Sequence, residues 1–150
     1  MNSHKQTRPN INIVRDPRWG RAQETPGEDP YLTSEYAVNF VSGIQQKDEQ
    51  GFLQAEACLK HFLAYNFDNS TAGGYDRFNF SATVSDFDLA YTYLPMFERA
   101  VKNTEVACVM CSYNAINGVP ACANTHFIKE TLREKWGFKG NLRQAQILKM

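Results

Sequence analysis

The sequence predicts an α/β fold in which a parallel sheet is joined by helical crossovers. Three observations carry that expectation. Short apolar or β-branched segments alternate three times with a loop and then a helix-patterned segment. Val106 to Tyr113 is a nearly continuous apolar run, as suits a strand covered on both faces. Polar residues gather at the C-terminal ends of the apolar segments, where parallel folds build their sites. An open doubly wound sheet and a (β/α)8 barrel both satisfy this pattern.

Along the chain, Asn10 to Val14 alternates polar and β-branched residues and is expected to be a strand. Arg15 to Glu28 has no apolar period and reads as a long ordered loop. A helix begins at Asp29-Pro30, with Asp29 as N-cap and Pro30 where its missing N–H does no harm. Leu32, Tyr36, Phe40 and Ile44, joined by Ala37 and Val41, mark the face expected to be buried. Ala55 to Phe62 reads as a strand ending in Lys60-His61, and a Gly- and Asn-containing loop follows to about Phe80. Ser85 is placed to cap a second helix, with Asp88 favourable to its dipole and Pro95 expected to kink or restart it. Ala90, Tyr93, Leu94, Phe97, Ala100 and Val101 mark its expected buried side. After the Val106 to Tyr113 strand and a loop with Asn117-Gly118-Val119-Pro120, Asn124 caps a third helix carrying Ile128 and Leu132 on one face. Arg133 and Lys135 fall in its last turn and Gly137 ends it.

Composition narrows the partners. The 150 residues are 43% hydrophobic and 21% charged, which is ordinary for a globular chain. Lys plus Arg equals Asp plus Glu at 16 each, so charge gives no argument for nucleic acid or an anionic membrane as partner. No apolar stretch approaches the roughly 20 residues of a membrane span, and Met1 to Asn10 lacks the apolar middle of a signal peptide. Asn69-Ser70-Thr71 and Asn79-Phe80-Ser81 are glycosylation acceptor triplets. With four cysteines they lean toward an extracellular or secretory parent that has lost an N-terminal part.

The loop holding Arg15, Arg18, Arg21, Glu24, Glu28 and Asp29 around Trp19 admits two readings. One is a surface of offsetting salt bridges. The other is an Arg fork that donates paired hydrogen bonds to sugar hydroxyls while nearby carboxylates hold it. Lys60-His61 is either an ordinary strand terminus or a fixed cation beside an imidazole that together orient a ring. Adjacent strand residues point to opposite faces, so the second reading requires an irregular backbone there. Cys108 and Cys111 have the spacing of a redox or zinc half-motif, but on a strand they face opposite sides and lack a second ligand pair. Cys111 with Cys122 is the better disulfide, leaving Cys58 and Cys108 as buried thiols. His126 is an early-helix residue with no assigned role.

Taken in order, Arg15-Asp16-Pro17-Arg18-Trp19-Gly20-Arg21, Glu24-Thr25-Pro26-Gly27-Glu28-Asp29, Lys60-His61-Phe62, Met110-Cys111-Ser112-Tyr113-Asn114 with Asn117-Gly118, and Trp136-Gly137-Phe138-Lys139-Gly140 resemble glycoside hydrolase family 3. The β-xylosidase and arabinofuranosidase branch is the nearest in appearance, with β-glucosidases next. The resemblance runs from about Pro9 to Gly140. It implies a partial (β/α)8 barrel of three to four strand-helix units over residues 1–140, since a whole barrel takes about 250 residues. It also implies retaining, exo-acting hydrolysis of terminal β-linked xylose, arabinose or glucose from an oligosaccharide or glycoside, with no metal or organic cofactor. By matched position, Arg21, Lys60, His61 and Tyr113 are expected to bind substrate.

One departure qualifies the activity. Where the family has an apolar strand ending in Ser-Asp, whose Asp is the nucleophile, Gly140 is followed by the polar, helix-prone Asn141 to Met150. No catalytic residue is therefore assigned. Asp16, Asp29, Asp76 and Asp86 do not sit at the nucleophile position, and retaining chemistry needs two carboxyl groups roughly 5 Å apart. The expected product is an inactive fragment with residues 141–150 as a divergent tail, or alternatively a noncatalytic carbohydrate-binding remnant. Half a barrel leaves two open sheet edges, through which self-association is expected.

Overall fold

The computed structural model describes residues 5–70 and 73–145 of the chain. Strand β1 (Lys5–Thr7) precedes Pro9, and the expected strand at Asn10 to Val14 is not a strand. Asn10 makes a single bridge to Lys60, with Ile11 N–H donating to the Lys60 carbonyl at 2.9 Å. Pro9 brings no N–H to the ladder, and Asn12 meets the next residue of the neighbouring strand with its side chain rather than its backbone. The alternation was still meaningful. Ile11 and Ile13 are buried in the core, and Asn10 and Asn12 are buried as well.

Helix α1 (Pro30–Ile44) starts as the caps predict, Asp29 accepting from Leu32 N–H at 2.7 Å. Its buried face is rotated from the expected one. Thr33, Ser34, Ala37 and Val41 are inside, whereas Leu32 is 57% and Tyr36 41% exposed. Small residues lie inward because α1 packs closely on a neighbouring helix. Strand β2 (Ala55–Phe62) has the expected bounds. The loop beyond it contains the hairpin β3 (Asn69–Ser70) and β4 (Tyr75–Asp76), then β5 (Ser81–Ala82).

Ser85 caps the one-turn α2 (Asp86–Asp88), its hydroxyl accepting from Asp88 N–H at 3.1 Å. A π-wound turn (Leu89–Tyr93) follows, and α3 (Pro95–Asn103) restarts at the proline, as expected of a residue that cannot continue an α-helical ladder. Leu89, Met96, Phe97, Ala100 and Val101 are buried here, while Ala90 is exposed, contrary to expectation.

Strand β6 (Cys108–Cys111) is fully buried and shorter than the apolar run that predicts it. The Asn117-Gly118 pair, both at positive φ, turns a hairpin between β7 (Ala115–Ile116) and β8 (Val119–Pro120). Asn124 caps a π-wound helix (His126–Lys135), its Oδ1 accepting from Phe127 N–H at 3.3 Å. Gly137, at φ 77°, ends it. Strand β9 (Asn141–Gln144) then pairs with β6, so these residues are strand and not the expected helix. Neighbouring β6 supplies a ladder that local helix propensity does not outweigh.

The four main strands lie in the order β1-β2-β6-β9, all parallel, with helices in every crossover. This is part of a (β/α)8 barrel, with β1 and β9 at its two edges. The core lies between sheet and helices, where the Phe62 ring meets Phe97 and Trp136 edge-on.

All four cysteines form disulfides. Cys111–Cys122 is as expected, but Cys58 and Cys108 also join, where buried thiols were expected. The parallel register sets Cys58 directly beside Cys108 on adjacent strands. The zinc or thiol reading of Cys108 and Cys111 has no support, since each sulfur is bonded to a different cysteine.

Candidate functional site

The C-terminal ends of β2 and β6 and the Arg-rich loop converge. The β2–β6 register shifts between Lys60 and Phe62, and the Lys60-His61 and Phe62-Leu63 peptide bonds are cis. Because the register shifts at this point, Lys60 and His61 both reach one cluster. Lys60 Nζ lies 3.7 Å from Glu24 Oε2, and His61 Nε2 lies 3.3 Å from Arg21 Nη1.

Glu24 is in the short 3-10 turn Ala22–Glu24 that ends the Arg-rich stretch, and its carboxylate accepts from Arg21 Nε and Nη2, each at 2.7 Å. The fork is thus held flat by a carboxylate of its own loop, and Nη1 is turned toward the imidazole. Arg21 also sits over the Tyr65 ring, 5.7 Å from its centroid. Tyr113, at the end of β6, brings its ring to 5.8 Å from His61 and 5.6 Å from Tyr65. Phe78 flanks Tyr113 at 5.1 Å. All four residues singled out in the sequence are therefore brought together.

Their charge states differ by environment. Arg21 draws Glu24 down to about 2 and is itself held firmly protonated by that carboxylate. Lys60 is pushed below its ordinary value by burial first and by the Arg21 charge second. His61 falls to about 2, chiefly through burial and then through Arg21 and Lys60. At neutral pH the cluster holds two cations, one carboxylate and a neutral imidazole. Such a set suits neutral, hydroxyl-rich rings, for which charged and neutral donors and acceptors within a few ångströms give paired hydrogen bonds.

Sequence reasoning missed three supporting residues. Asn12 is buried and bonds His61 through backbone and ring, and its signal was a polar residue alternating with core isoleucines. Tyr65, fully buried, donates its hydroxyl to Asp68, and burial keeps that phenol protonated. Nothing in the local sequence marked either of that pair. On the far side, Arg15 turns away to Asp88 at 3.5 Å and Arg18 pairs with Asp16, so of the three arginines in that loop Arg21 alone enters the cluster.

Residues 3–143 match the glycosyl hydrolase family 3 N terminal domain. The chain belongs to glycosyl hydrolase family 3. Among its family 3 relatives are a β-xylosidase/α-L-arabinofuranosidase 1 of Medicago sativa subsp. varia, 51% identical over 134 residues, and a probable β-D-xylosidase 6 of Arabidopsis thaliana, 44% identical over 153 residues. Each comparison covers 88% of this chain, which spans only 17% and 19% of those relatives' lengths. Among solved structures, a GH3 exo-β-xylosidase in complex with a xylobiose aziridine activity-based probe superposes with TM-score 0.83 at 37% identity, over 91% of this chain and 18% of that one. β-Glucosidase 3B from Thermotoga neapolitana, in complex with glucose, gives TM-score 0.80 at 38% identity over 91% and 18%.

Proposed function

We propose that this family 3 chain carries the sugar-gripping half of a retaining, exo-acting β-glycosidase that releases terminal β-linked xylose. Arg21, Lys60 and His61 bind hydroxyls of the nonreducing-end ring, and Tyr113 packs beside it. The observation that carries this is the convergence of the four side chains at the C-terminal ends of adjacent parallel strands. Xylose is favoured over glucose as substrate because the sequence relatives named above, 44% and 51% identical, are named as β-xylosidases, whereas the β-glucosidase structure is 38% identical.

The 150-residue chain itself is proposed to bind without hydrolysing. Residues 1–140 are proposed to form part of a barrel domain, with residues 141–150 as a tail lacking the family's apolar Ser-Asp ending, although the family match itself runs on to residue 143. The strand that follows Gly140 ends at Gln144 and is followed by Ala145, and neither has the carboxylate that a retaining nucleophile requires. The two disulfides support an extracellular or secretory location for the parent protein. Asn79, the acceptor in the second glycosylation triplet, is exposed; Thr71, in the first, lies outside the described residues.

Two measurements test the reading. Titration of the labelled chain with methyl β-xyloside should move NMR signals of Arg21, Lys60, His61 and Tyr113 together, and no movement at millimolar sugar overturns the binding role. Nitrophenyl β-xyloside should be cleaved by a version extended through the genomic reading frame and not by this chain. Turnover by the 150 residues alone would sink the noncatalytic assignment.

A further inference from the structure

Asn12 meets His61 with every polar atom of its side chain. Its Nδ2 donates to the His61 carbonyl at 2.8 Å, and its Oδ1 accepts from the His61 backbone N–H at 2.9 Å. The first two bonds fix which end of the amide is oxygen, because a backbone N–H can only donate and a carbonyl can only accept. The same Oδ1 lies 3.1 Å from His61 Nδ1. An oxygen that cannot donate requires the proton to be on Nδ1. His61 Nε2 is then the unprotonated nitrogen, and it faces Arg21 Nη1, which has only hydrogens to offer, at 3.3 Å.

We infer that Asn12 is a positioning residue that locks His61 into the Nδ1–H tautomer, making Nε2 an obligate acceptor toward the ligand. The assignment of the tautomer stands on the geometry alone. Its consequence for specificity rests on the sugar-binding role proposed above. A ring hydroxyl that meets Nε2 must donate its proton there, and because that nitrogen has one lone pair it must share or displace the long 3.3 Å contact from Arg21 Nη1. Fluorine or a methyl ether at that ring position has no proton to give and is rejected.

The groups facing the imidazole are Asn12 on one side, Arg21 on the other, and the Tyr65 and Tyr113 rings at 4.8 and 5.8 Å, with the Lys60, Glu24 and Arg77 charges acting from further off. None of the adjacent groups is an anion, so the neutral form persists and the tautomer remains a meaningful state near neutral pH.

The test is the nitrogen spectrum of the 150-residue chain labelled with 15N-histidine, which needs no substrate and so stands or falls separately from the sugar-binding role. Wild-type His61 should show a protonated, pyrrole-like Nδ1 and a bare, pyridine-like Nε2. Asn12→Leu should lose that pattern. Asn12→Asp keeps the Oδ1 acceptor and adds a charge, though it loses the Nδ2–H bond to the His61 carbonyl, so the carboxylate turns its second oxygen from that carbonyl. The Nδ1–H pattern should persist while His61 gains a titration between pH 5 and 7, roughly where an unburied imidazole titrates. If Asn12→Leu does not fold, the Asp variant still decides. A wild-type Nε2–H pattern overturns the inference. So does an unchanged tautomer in a folded Leu variant, which would make Arg21 sufficient, or an Asp variant whose His61 does not titrate in that window.

Discussion

Glu24 closes both carboxylate oxygens on the Arg21 guanidinium, 2.7 Å to Nε and 2.7 Å to Nη2, and so turns the remaining Nη1 toward His61. A single residue of the loop therefore sets the plane of the cation on which the site is built. Glu24→Gln keeps the shape but removes the charge that offsets Arg21 and Lys60. The expected loss of sugar affinity is about tenfold, since one charge-assisted contact is weakened. Stability should fall by only about 1 kcal/mol, because Glu24 is partly exposed and solvent screens the pair. Calorimetric titration with xyloside beside thermal melting separates the two effects.

The acid limb of stability should bear the mark of His61. Its ordinary value is 6.5, and in the fold it is near 2. Between those values the unfolded chain holds a proton that the folded chain does not, so stability is full above about pH 6.5 and falls as pH drops. The slope from this one group approaches about 1.4 kcal/mol per pH unit. Glu24, lowered from 4.5 to about 2, adds a loss of the same sign below pH 4.5. Urea melts at several pH values should show the first limb flattened in His61→Gln.

Cys58 and Cys108 tie the two central strands across a sequence separation of 50. The double change Cys58→Ala with Cys108→Ala should cost about 2–4 kcal/mol, read as a lower denaturation midpoint. A reductant should shift the wild-type midpoint the same way and leave the double variant affected only through Cys111–Cys122.

Gly140 has no room for a side chain. A Cβ there would stand 2.4 Å from the Ala107 carbonyl oxygen, the atom that accepts from Asn141 N–H at 2.8 Å to begin the β6–β9 pairing. Gly140→Ala should therefore destabilise by about 1–3 kcal/mol, with faster amide exchange at Asn141 and Leu142. Unchanged exchange there would separate β9 from that contact.

Strands β1 and β9 are the two ends of the sheet order, and Asn141, Arg143 and Gln144 are exposed on the second. The chain should self-associate with rising concentration through these edges. Sedimentation should detect dimers or larger species, and a monodisperse, cooperatively melting monomer at all concentrations would contradict it.

Residues alone determined what depends on neighbours along the chain. The caps at Asp29, Ser85 and Asn124, the restart at Pro95 and the bounds of β2 follow from local hydrogen bonding and apolar runs, and the alternation of such segments specified a parallel α/β architecture. The motif resemblance named Arg21, Lys60, His61 and Tyr113 before their contacts were visible. What only the tertiary structure decided depends on elements far apart in sequence. The rotation of α1 that leaves Leu32 and Tyr36 exposed is set by how closely α3 approaches. The Cys58–Cys108 bond follows from strand register, and the strand at Asn141–Gln144 from the free edge of β6. Asn12 is joined to His61 across 49 positions, a partnership fixed by the course of the chain past Pro9 and by no local periodicity. Local rules act through a few bonds of chain, whereas register and packing are settled when the whole sheet assembles.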